Sequence, residues 1–301
     1  MGVDADTGLV QFTTTHEGQW SSGSQPTVMG NQVVALGGYY GGMDSYNAST
    51  GAYQWFTKLP QQYNFIPAMD DQRVYIYYGA ASASPGPQTS TLYAIDRRSG
   101  QIQYTIQNFT DPHTTYSSIS SVMLGEQEDA IVIGNTNTYG SKQLTSFSLD
   151  QRSIRWTRGL SAVNALAVAN GAIAVPMSNS LKMIDEATGS DLWTWAAPAD
   201  VFLTSNVVMT KNMVFVASRE RLFAIDRISG QLGWSEFVGS DVSEYFSSYN
   251  LAYFDGTLYA SGISRIMAYN AVPEPSGILV GSTGIIFILG RVFSQRRRRL
   301  S

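Results

Sequence analysis

The sequence LFAIDRISGQLGW, from Leu222 to Trp234, decides the fold because it recurs along the chain. LYAIDRRSGQIQY (Leu92 to Tyr104) and LKMIDEATGSDLW (Leu181 to Trp193) align with it without a gap. The shared motif is L-x-x-I-D-x-x-[ST]-G-x-x-x-[WY]. A motif that recurs at a regular interval is the signature of a repeat architecture.

Two degenerate copies keep the same spacing. Met43 to Trp55 has Asn47 where Asp is expected, and Leu144 to Trp156 has Ser148 and Arg152 in place of the Asp and the Gly. The turn glycines, or the arginine in their place, fall at positions 51, 100, 152, 189 and 230, so neighbouring copies lie 37 to 52 residues apart. This interval fits one four-stranded propeller blade.

Each motif residue has a physical role in a β-hairpin. Apolar residues alternate before the Asp, so the strand presents two faces. The Asp side chain can accept hydrogen bonds from backbone amides of the turn, and Gly supplies the positive φ that ends it. The aromatic residue four positions later is expected to pack between neighbouring sheets. The predicted motif residues are Asp4, Gly8, Asn47, Gly51, Trp55, Asp96, Gly100, Tyr104, Trp156, Asp185, Gly189, Trp193, Asp226, Gly230 and Trp234.

A second hairpin is predicted upstream of the motifs. The stretches Thr27 to Gly38, Leu166 to Met177, Val207 to Ser218 and Leu251 to Gly262 each place turn residues between two short apolar strands. Two hairpins make a four-stranded antiparallel sheet, and such sheets repeated around an axis form a β-propeller. The sequence therefore predicts an all-β propeller over residues 1–271, of about six blades or a truncated seven- or eight-bladed ring.

The start of the chain falls inside a motif. Val3 to Phe12 match its second half, and no basic and apolar signal peptide precedes them. In one interpretation the gene begins upstream. In the other, residues 9 to 14 supply the outer strand of the last blade, so that Asn270 with Thr7 and Gly8 makes a composite sixth blade.

Composition excludes several classes of site. Residues 273 to 301 hold five arginines and one acid, Glu274, which leaves 14 basic and 22 acidic residues elsewhere. An acidic body of this kind is a poor nucleic-acid binder. The chain has no cysteine, and His16 and His113 stand apart from any ligand pattern. The sequence therefore predicts no catalytic, cofactor or metal residues.

The repeat, written [YF]-A-I-D-x-x-[ST]-G-x-x-x-W, resembles the PQQ-like, or quinoprotein-type, β-propeller repeat. That family includes quinone-dependent dehydrogenases and cofactor-free scaffolds such as outer-membrane assembly lipoproteins. The enzymes need a bound Ca2+, a catalytic Asp, a Trp platform and, in many members, adjacent cysteines. The resemblance therefore implies a non-catalytic binding or scaffolding module without a cofactor, and the alternative is a fragment of a PQQ-dependent quinoprotein dehydrogenase.

The C-terminus resembles a PEP-CTERM sorting signal. A Pro-Glu-Pro linker (272–276) precedes an apolar segment (277–293), expected to be a transmembrane helix, and a basic tail (294–301), expected to stay in the cytoplasm. The signal residues are Val272, Pro273, Glu274, Pro275, Ser276, Arg296, Arg297, Arg298 and Arg299.

The resemblance of the tail implies a bacterial membrane or cell-surface protein whose propeller lies outside the cytoplasm. An exosortase-type membrane transpeptidase would read the signal. Further partners would be an exopolysaccharide or other envelope proteins. Tyrosine-rich stretches at Gly37 to Tyr46, Tyr75 to Ala80 and Ser243 to Asn250 could stack on sugars, although packing between blades is the favoured interpretation.

Overall fold

The computed structural model describes residues 1–4, 6–15, 26–37, 41–60, 65–78, 89–108, 120–127, 129–135, 141–161, 166–238, 250–261 and 266–270. All helical or strand structure in these residues is β-strand, which confirms the all-β prediction. The strands are β1 (Gly2–Val3), β2 (Val10–Phe12), β3 (Thr27–Met29), β4 (Gln32–Leu36), β5 (Gly42–Asn47), β6 (Tyr53–Lys58), β7 (Phe65–Ile66), β8 (Ala68–Met69), β9 (Arg73–Tyr78), β10 (Ser90–Asp96), β11 (Ile102–Asn108), β12 (Ser120–Leu124), β13 (Asp129–Asn135), β14 (Ser141–Ser148), β15 (Ser153–Ser161), β16 (Ala167–Ala169), β17 (Ala172–Pro176), β18 (Ser180–Asp185), β19 (Asp191–Ala196), β20 (Val208–Met209), β21 (Met213–Ala217), β22 (Arg221–Asp226), β23 (Leu232–Phe237), β24 (Asn250–Phe254), β25 (Thr257–Ser261) and β26 (Ile266–Asn270).

The strands form successive antiparallel sheets in chain order. The first sheet is β3–β6, the second β8–β11, the third β12–β15, the fourth β16–β19 and the fifth β20–β23. A sixth sheet, β24–β26, has three strands, and β1 pairs with β2 in a separate hairpin. The four-stranded antiparallel unit expected from two hairpins per repeat is confirmed, and the arrangement is propeller-like.

Two consecutive residues with positive φ form the turn in two of the upstream hairpins. Asn170 and Gly171 have φ of 52° and 69°, and Asp255 and Gly256 have 46° and 74°. Two consecutive residues with positive φ make the type I′ turn, whose twist matches that of the flanking strands. These Asn-Gly and Asp-Gly pairs are the turn signals that the sequence offers.

Hydrophobic clusters fill the space between consecutive sheets. One lies between the first and second sheets, and others follow at each later junction up to that of the fifth and sixth. Inner strands such as β21 are buried along their whole length because a sheet packs on each face. Outer strands such as β23 are mostly exposed, since they lie at the rim.

The expected composite sixth blade does not form among the described residues. β2 pairs with β1, and β26 pairs with β25. The reason is that β1, which leads into Asp4, and β26, which ends at Asn270, are both the third strand of a repeat. The N-terminal residues therefore make their own hairpin, in which Phe12 packs against Gly51 of the first sheet.

A short segment before the second sheet links neighbouring sheets through the main chain. β7 pairs in parallel with β12 of the third sheet, and β8, two residues later, joins the second sheet. Between them, the carbonyl oxygen of Pro67 accepts a hydrogen bond of 2.6 Å from Thr27 Oγ1 of the first sheet. No repeat motif marks this segment in the sequence.

The predictions for the C-terminus fall on residues that the structure does not describe. The linker 272–276, the apolar segment 277–293 and the tail 294–301 all lie outside the described residues, as do His16 and His113. In the ranges given above, no helix has the length and apolar character needed to cross a membrane.

Candidate functional site

A tryptophan from one sheet contacts the turn of the next sheet at three junctions. Trp55 Nε1 donates a hydrogen bond of 3.0 Å to the carbonyl oxygen of Arg97, the residue after the motif Asp. Trp156 and Trp193 make the same bond, each at 2.9 Å, to the residues after Asp185 and Asp226. At the next junction the ring of Trp234 lies 6.4 Å from the ring of Tyr269 in the sixth sheet.

The turn glycine makes room for this indole. Gly8, Gly51, Gly100, Gly189 and Gly230 all have φ between 70° and 73°. A Cβ added to Gly100 would lie 2.7 Å from Trp55 Cδ2, which is closer than two carbon atoms can pack. Both the backbone angle and the indole therefore require glycine here.

The side chains at the Asp position of the motif accept hydrogen bonds from backbone amides of their own turns. Asp96 Oδ1 accepts hydrogen bonds from the amides of Ser99 and Arg98, at 2.8 and 3.0 Å. These bonds, above all the one from Ser99, keep the pKa of Asp96 below its ordinary value. Amides of the turn also donate to the side chains of Asp4, Asn47, Asp185 and Asp226.

The junction between the second and third sheets departs from this pattern. Tyr104 stands in place of the tryptophan, and its hydroxyl donates a hydrogen bond of 3.3 Å to the carbonyl oxygen of Leu149. Arg152 replaces the glycine and keeps a positive φ of 53°. Its guanidinium carbon lies 4.6 Å from the centre of the Tyr104 ring, in a cation–π contact. We call this the divergent junction.

A cleft opens at the divergent junction. Its volume is about 540 Å³, within the range of small-ligand pockets, about 300 to 1,000 Å³. Three turns form its walls, and carboxylates outnumber the two guanidinium groups. The charged lining residues are Asp70, Asp71, Arg73, Glu126, Asp129, Asp150 and Arg152.

The acidic residues of the cleft differ in how they are held. Asp70 is fixed, because its Oδ1 accepts from the Arg73 amide at 2.6 Å and its Oδ2 accepts from Tyr75 Oη at 2.8 Å. Burial of Tyr75, together with this bond, raises the pKa of its phenol. Asp71 and Asp150 are exposed. The exposed pair can therefore meet a partner without losing an internal bond.

Two fully buried carboxyl groups lie beside the cleft. Asp129 pairs with Arg155 at 2.8 Å, and Ser146 Oγ donates to it at 3.2 Å. Glu186 Oε1 accepts a hydrogen bond of 3.1 Å from the Gln127 amide, whereas its Oε2 has no partner in the described part of the chain. Burial raises the pKa of both carboxyls above their ordinary values.

A second cleft, of about 460 Å³, lies at the other end of the strands. It is formed by the loop between the fourth and fifth sheets and by the turn that leads into β22. Phe202 lines it with 64% of its surface exposed. Arg221, also in the lining, lies 5.9 Å from the ring centre of Phe237. Phe202 is the aromatic residue in the lining of this cleft, whereas Tyr75 and Tyr104 line the first.

The sequence marked the residues of the divergent junction without revealing their geometry. Arg152 departs from the motif, and Tyr104 is the tyrosine variant of its last position, but they lie in different repeats, so the sequence alone does not show that they meet. The acidic turn residues Asp71, Glu126 and Asp150 lie outside the motif pattern. Among the described residues, no group of three or more His, Asp or Glu side chains is arranged to hold a metal ion.

The repeated four-stranded sheets and the contact of an aromatic residue with the next turn define a PQQ-like β-propeller. A family model described as outer membrane protein assembly factor BamB matches residues 1–236 and 138–272. Together these matches cover most of the chain, which therefore belongs to this family.

Solved structures share the fold. BamB from Moraxella catarrhalis superposes with a TM-score of 0.62 at 16% identity, covering 88% of this chain and 76% of that one. The computationally designed protein Ika8 gives a TM-score of 0.58 at 15% identity, with 82% and 70% covered. At such identities the likeness shows the fold alone. A search of curated proteins found no significant match.

Proposed function

We propose that this protein is an exported, envelope-associated β-propeller that binds a partner protein and catalyses no reaction. Its family carries the description of an outer membrane assembly factor, which supports a binding role and a place in the envelope. Since the same fold also serves enzymes, the argument has to rest on a site.

The divergent junction carries this proposal. At three other junctions an indole closes the space over the turn, whereas here a tyrosine and an arginine leave a cleft with exposed Asp71 and Asp150 at its edge. Exposed charges beside an aromatic ring and arginine side chains favour recognition of a protein surface. The partner we propose is an envelope protein with a basic surface.

The quinoprotein alternative has less support. The motif aspartates, which would be the first candidates for Ca2+ ligands, bind amides of their own turns, as Asp96 does with Ser99. A fragment of a dehydrogenase would need oxygen ligands free to face the metal.

A pair of equivalent positions tests the binding site. Asp150 and Ile228 occupy the same place in the motif turns of the third and fifth sheets, and both are exposed. A photo-crosslinking amino acid at position 150, in the full chain expressed in its native host, should join one envelope protein. The same group at position 228 serves as the matched control.

The yield of that product also tests the electrostatic argument. Asp71→Arg should lower the crosslinking yield from position 150 about tenfold, since one reversed charge at a contact changes binding by roughly 1.4 kcal/mol or more. Equal products from positions 150 and 228, or a yield that Asp71→Arg leaves unchanged, would count against the cleft as the binding site.

We further propose that an exosortase-type enzyme sorts the protein through its C-terminal signal. The support is the sequence alone: Pro273 to Pro275, the apolar segment and the four arginines. Replacing Arg296 to Arg299 with Gln should reduce delivery of the propeller to the cell surface, measured by surface biotinylation. Unchanged delivery would reject this part of the proposal.

A further inference from the structure

The contact between the third and fourth sheets contains a carboxyl group in an unusual position. Glu186 follows the motif Asp, at the place where Arg97 and Arg227 stand in the second and fifth sheets. It is fully buried, and its carboxyl end presses on Gly125, where no side chain atom could fit. The turn 124–127 of the third sheet therefore packs directly on this carboxyl group, and Glu126 Oε1 in the same turn also accepts a hydrogen bond of 2.8 Å from the Asn170 amide of the fourth sheet.

Only one of the two carboxyl oxygens of Glu186 accepts a hydrogen bond among the described residues. The Gln127 amide donates to Oε1, and Oε2 has no partner among the described residues. An ionised carboxylate with an unpaired buried oxygen is expensive, whereas a neutral carboxyl is tolerated. The geometry thus favours the protonated form.

The charged groups around Glu186 act in the same direction. Glu126 and Asp129 face it from the turn of the third sheet and repel its negative charge. The Arg155 guanidinium pairs with Asp129 at 2.8 Å. On the fourth sheet, Asp185 precedes Glu186 and binds the amide of its own turn. Burial, the first cause, and these neighbours raise the pKa of Glu186.

We propose that Glu186 is a proton-operated latch that controls the wall of the cleft. While the carboxyl is neutral, the turn 124–127 stays packed on the fourth sheet. When the carboxyl ionises, the turn loosens, and with it Gly125, Glu126 and Asp129, which line the cleft. This inference rests on the proposed binding function only for its consequence, because the latch itself is a property of the isolated chain.

The first test is the pH dependence of stability. A carboxyl whose pKa is raised on folding contributes stability below its unfolded pKa, and this contribution is lost as the pH rises through the folded pKa. Glu186→Gln, which cannot ionise, should therefore raise the unfolding midpoint at pH 7 by about 2 °C or more and leave it unchanged near pH 4. Glu186→Leu is a second neutral variant, because Leu149 occupies the equivalent place in the third sheet.

A local measurement separates the latch from a general effect. Hydrogen exchange of amides 124–127, corrected for intrinsic rates, should lose up to about tenfold in protection for each pH unit between the ordinary pKa of a glutamate and the folded pKa, and should level off above it. Both Glu186 variants should remove this dependence. The control is Glu126→Gln, which removes an exposed carboxylate from the same turn; the dependence should remain but move to lower pH, because one charge that repels Glu186 is lost. Exchange in the wild type that is independent of pH, or is unaltered in both Glu186 variants, would overturn the latch.

The consequence for binding has its own readout. Crosslinking from position 150 should differ between about pH 4.3, the ordinary pKa of a glutamate, and about pH 8 in the wild type and stay constant in Glu186→Gln. A crosslink that is equal at both pH values with an intact exchange signature would reject the link to the cleft and leave the binding site standing. An absent crosslink at every pH would reject the binding site instead.

Discussion

The junction between the first and second sheets and the divergent junction are built from the same repeat, but different side chains meet in them. At the first, Trp55 is 7% exposed and lies against the turn glycine Gly100. At the second, Tyr104 is only half-buried, and Arg152 covers its ring from solvent. An indole on a glycine closes the space between two sheets, whereas a phenol beneath an arginine leaves it open and charged.

This difference teaches how a repeat protein can acquire a site. The strands, the turn and the hydrogen bond to the carbonyl after the motif Asp are kept at both junctions. The two side chains that meet there have changed, and Ser148 replaces the motif Asp in the turn beside them. The sheets therefore stay packed while a charged cleft opens between them. Substitutions at either junction can test this difference.

The largest effect is expected for Trp55→Ala. The change removes a buried indole and its hydrogen bond to Arg97, and large aromatic residues of this kind contribute about 3 to 5 kcal/mol. Urea denaturation should show this loss in the free energy of unfolding. Tyr104→Ala should cost less, because that ring is only partly buried; equal losses would mean that the two junctions contribute alike.

The second effect comes from the turn. Gly100→Ala places a Cβ 2.7 Å from Trp55 Cδ2 at a residue with φ of 73°. The left-handed conformation costs about 1 kcal/mol for a residue with a Cβ, and displacement of the indole adds about as much. The unfolding free energy should fall by roughly 2 kcal/mol. In the background of Trp55→Ala the same substitution should cost only the backbone part, and full additivity would show that the two groups do not touch.

How far the sequence predicts this molecule depends on whether a feature recurs. The hairpin turns could be located because Asp, Ser or Thr and Gly each have a local conformational role, and this pattern recurs in three complete copies and in one copy with Asn47 for the Asp. The sequence left the N-terminal strands with two interpretations, because a strand that matches the third position can either join the last sheet or bring its own partner. The cleft could not be predicted, since Tyr104 and Arg152 are 48 positions apart in the numbering. The burial of Glu186 could not be predicted for the same reason, because the turn that covers its carboxyl group belongs to the neighbouring third sheet.

A third effect concerns the turn carboxylate. The Asp96 side chain accepts hydrogen bonds from two backbone amides. Its counterpart Ser148 in the third sheet accepts one, from the Gln151 amide at 3.2 Å. Asp96→Ser should therefore cost about 1 kcal/mol at pH 7. The pKa of Asp96 is lowered on folding, so its contribution is present above its unfolded pKa and is lost as the pH falls through the folded value.

The wild type and Asp96→Ser should therefore converge in stability as the pH falls below about 4. Thermal unfolding across pH 3 to 7 would measure this convergence. A difference that stays constant over the range would mean that the hydroxyl replaces the carboxylate fully. The slope has the opposite sign to that of Glu186, so the two acidic groups can be told apart in one titration.

The smallest change in stability is expected when the divergent junction is rebuilt as an ordinary one. Tyr104→Trp combined with Arg152→Gly supplies the indole and the glycine that meet at the other junctions. The cation–π contact, about 1 kcal/mol, is lost, while the indole buries more area and glycine relieves a φ of 53°, so stability should stay within about 1 kcal/mol of the wild type. Each single change should cost more than the pair, because the new indole without the glycine meets the arginine side chain.

The informative readout is binding: closing the cleft should abolish crosslinking from position 150 in a protein that is as stable as before. Because the crosslinking amino acid replaces Asp150, retained crosslinking would show that the exposed Asp71 carboxylate suffices for recognition and that the opening between the sheets is incidental.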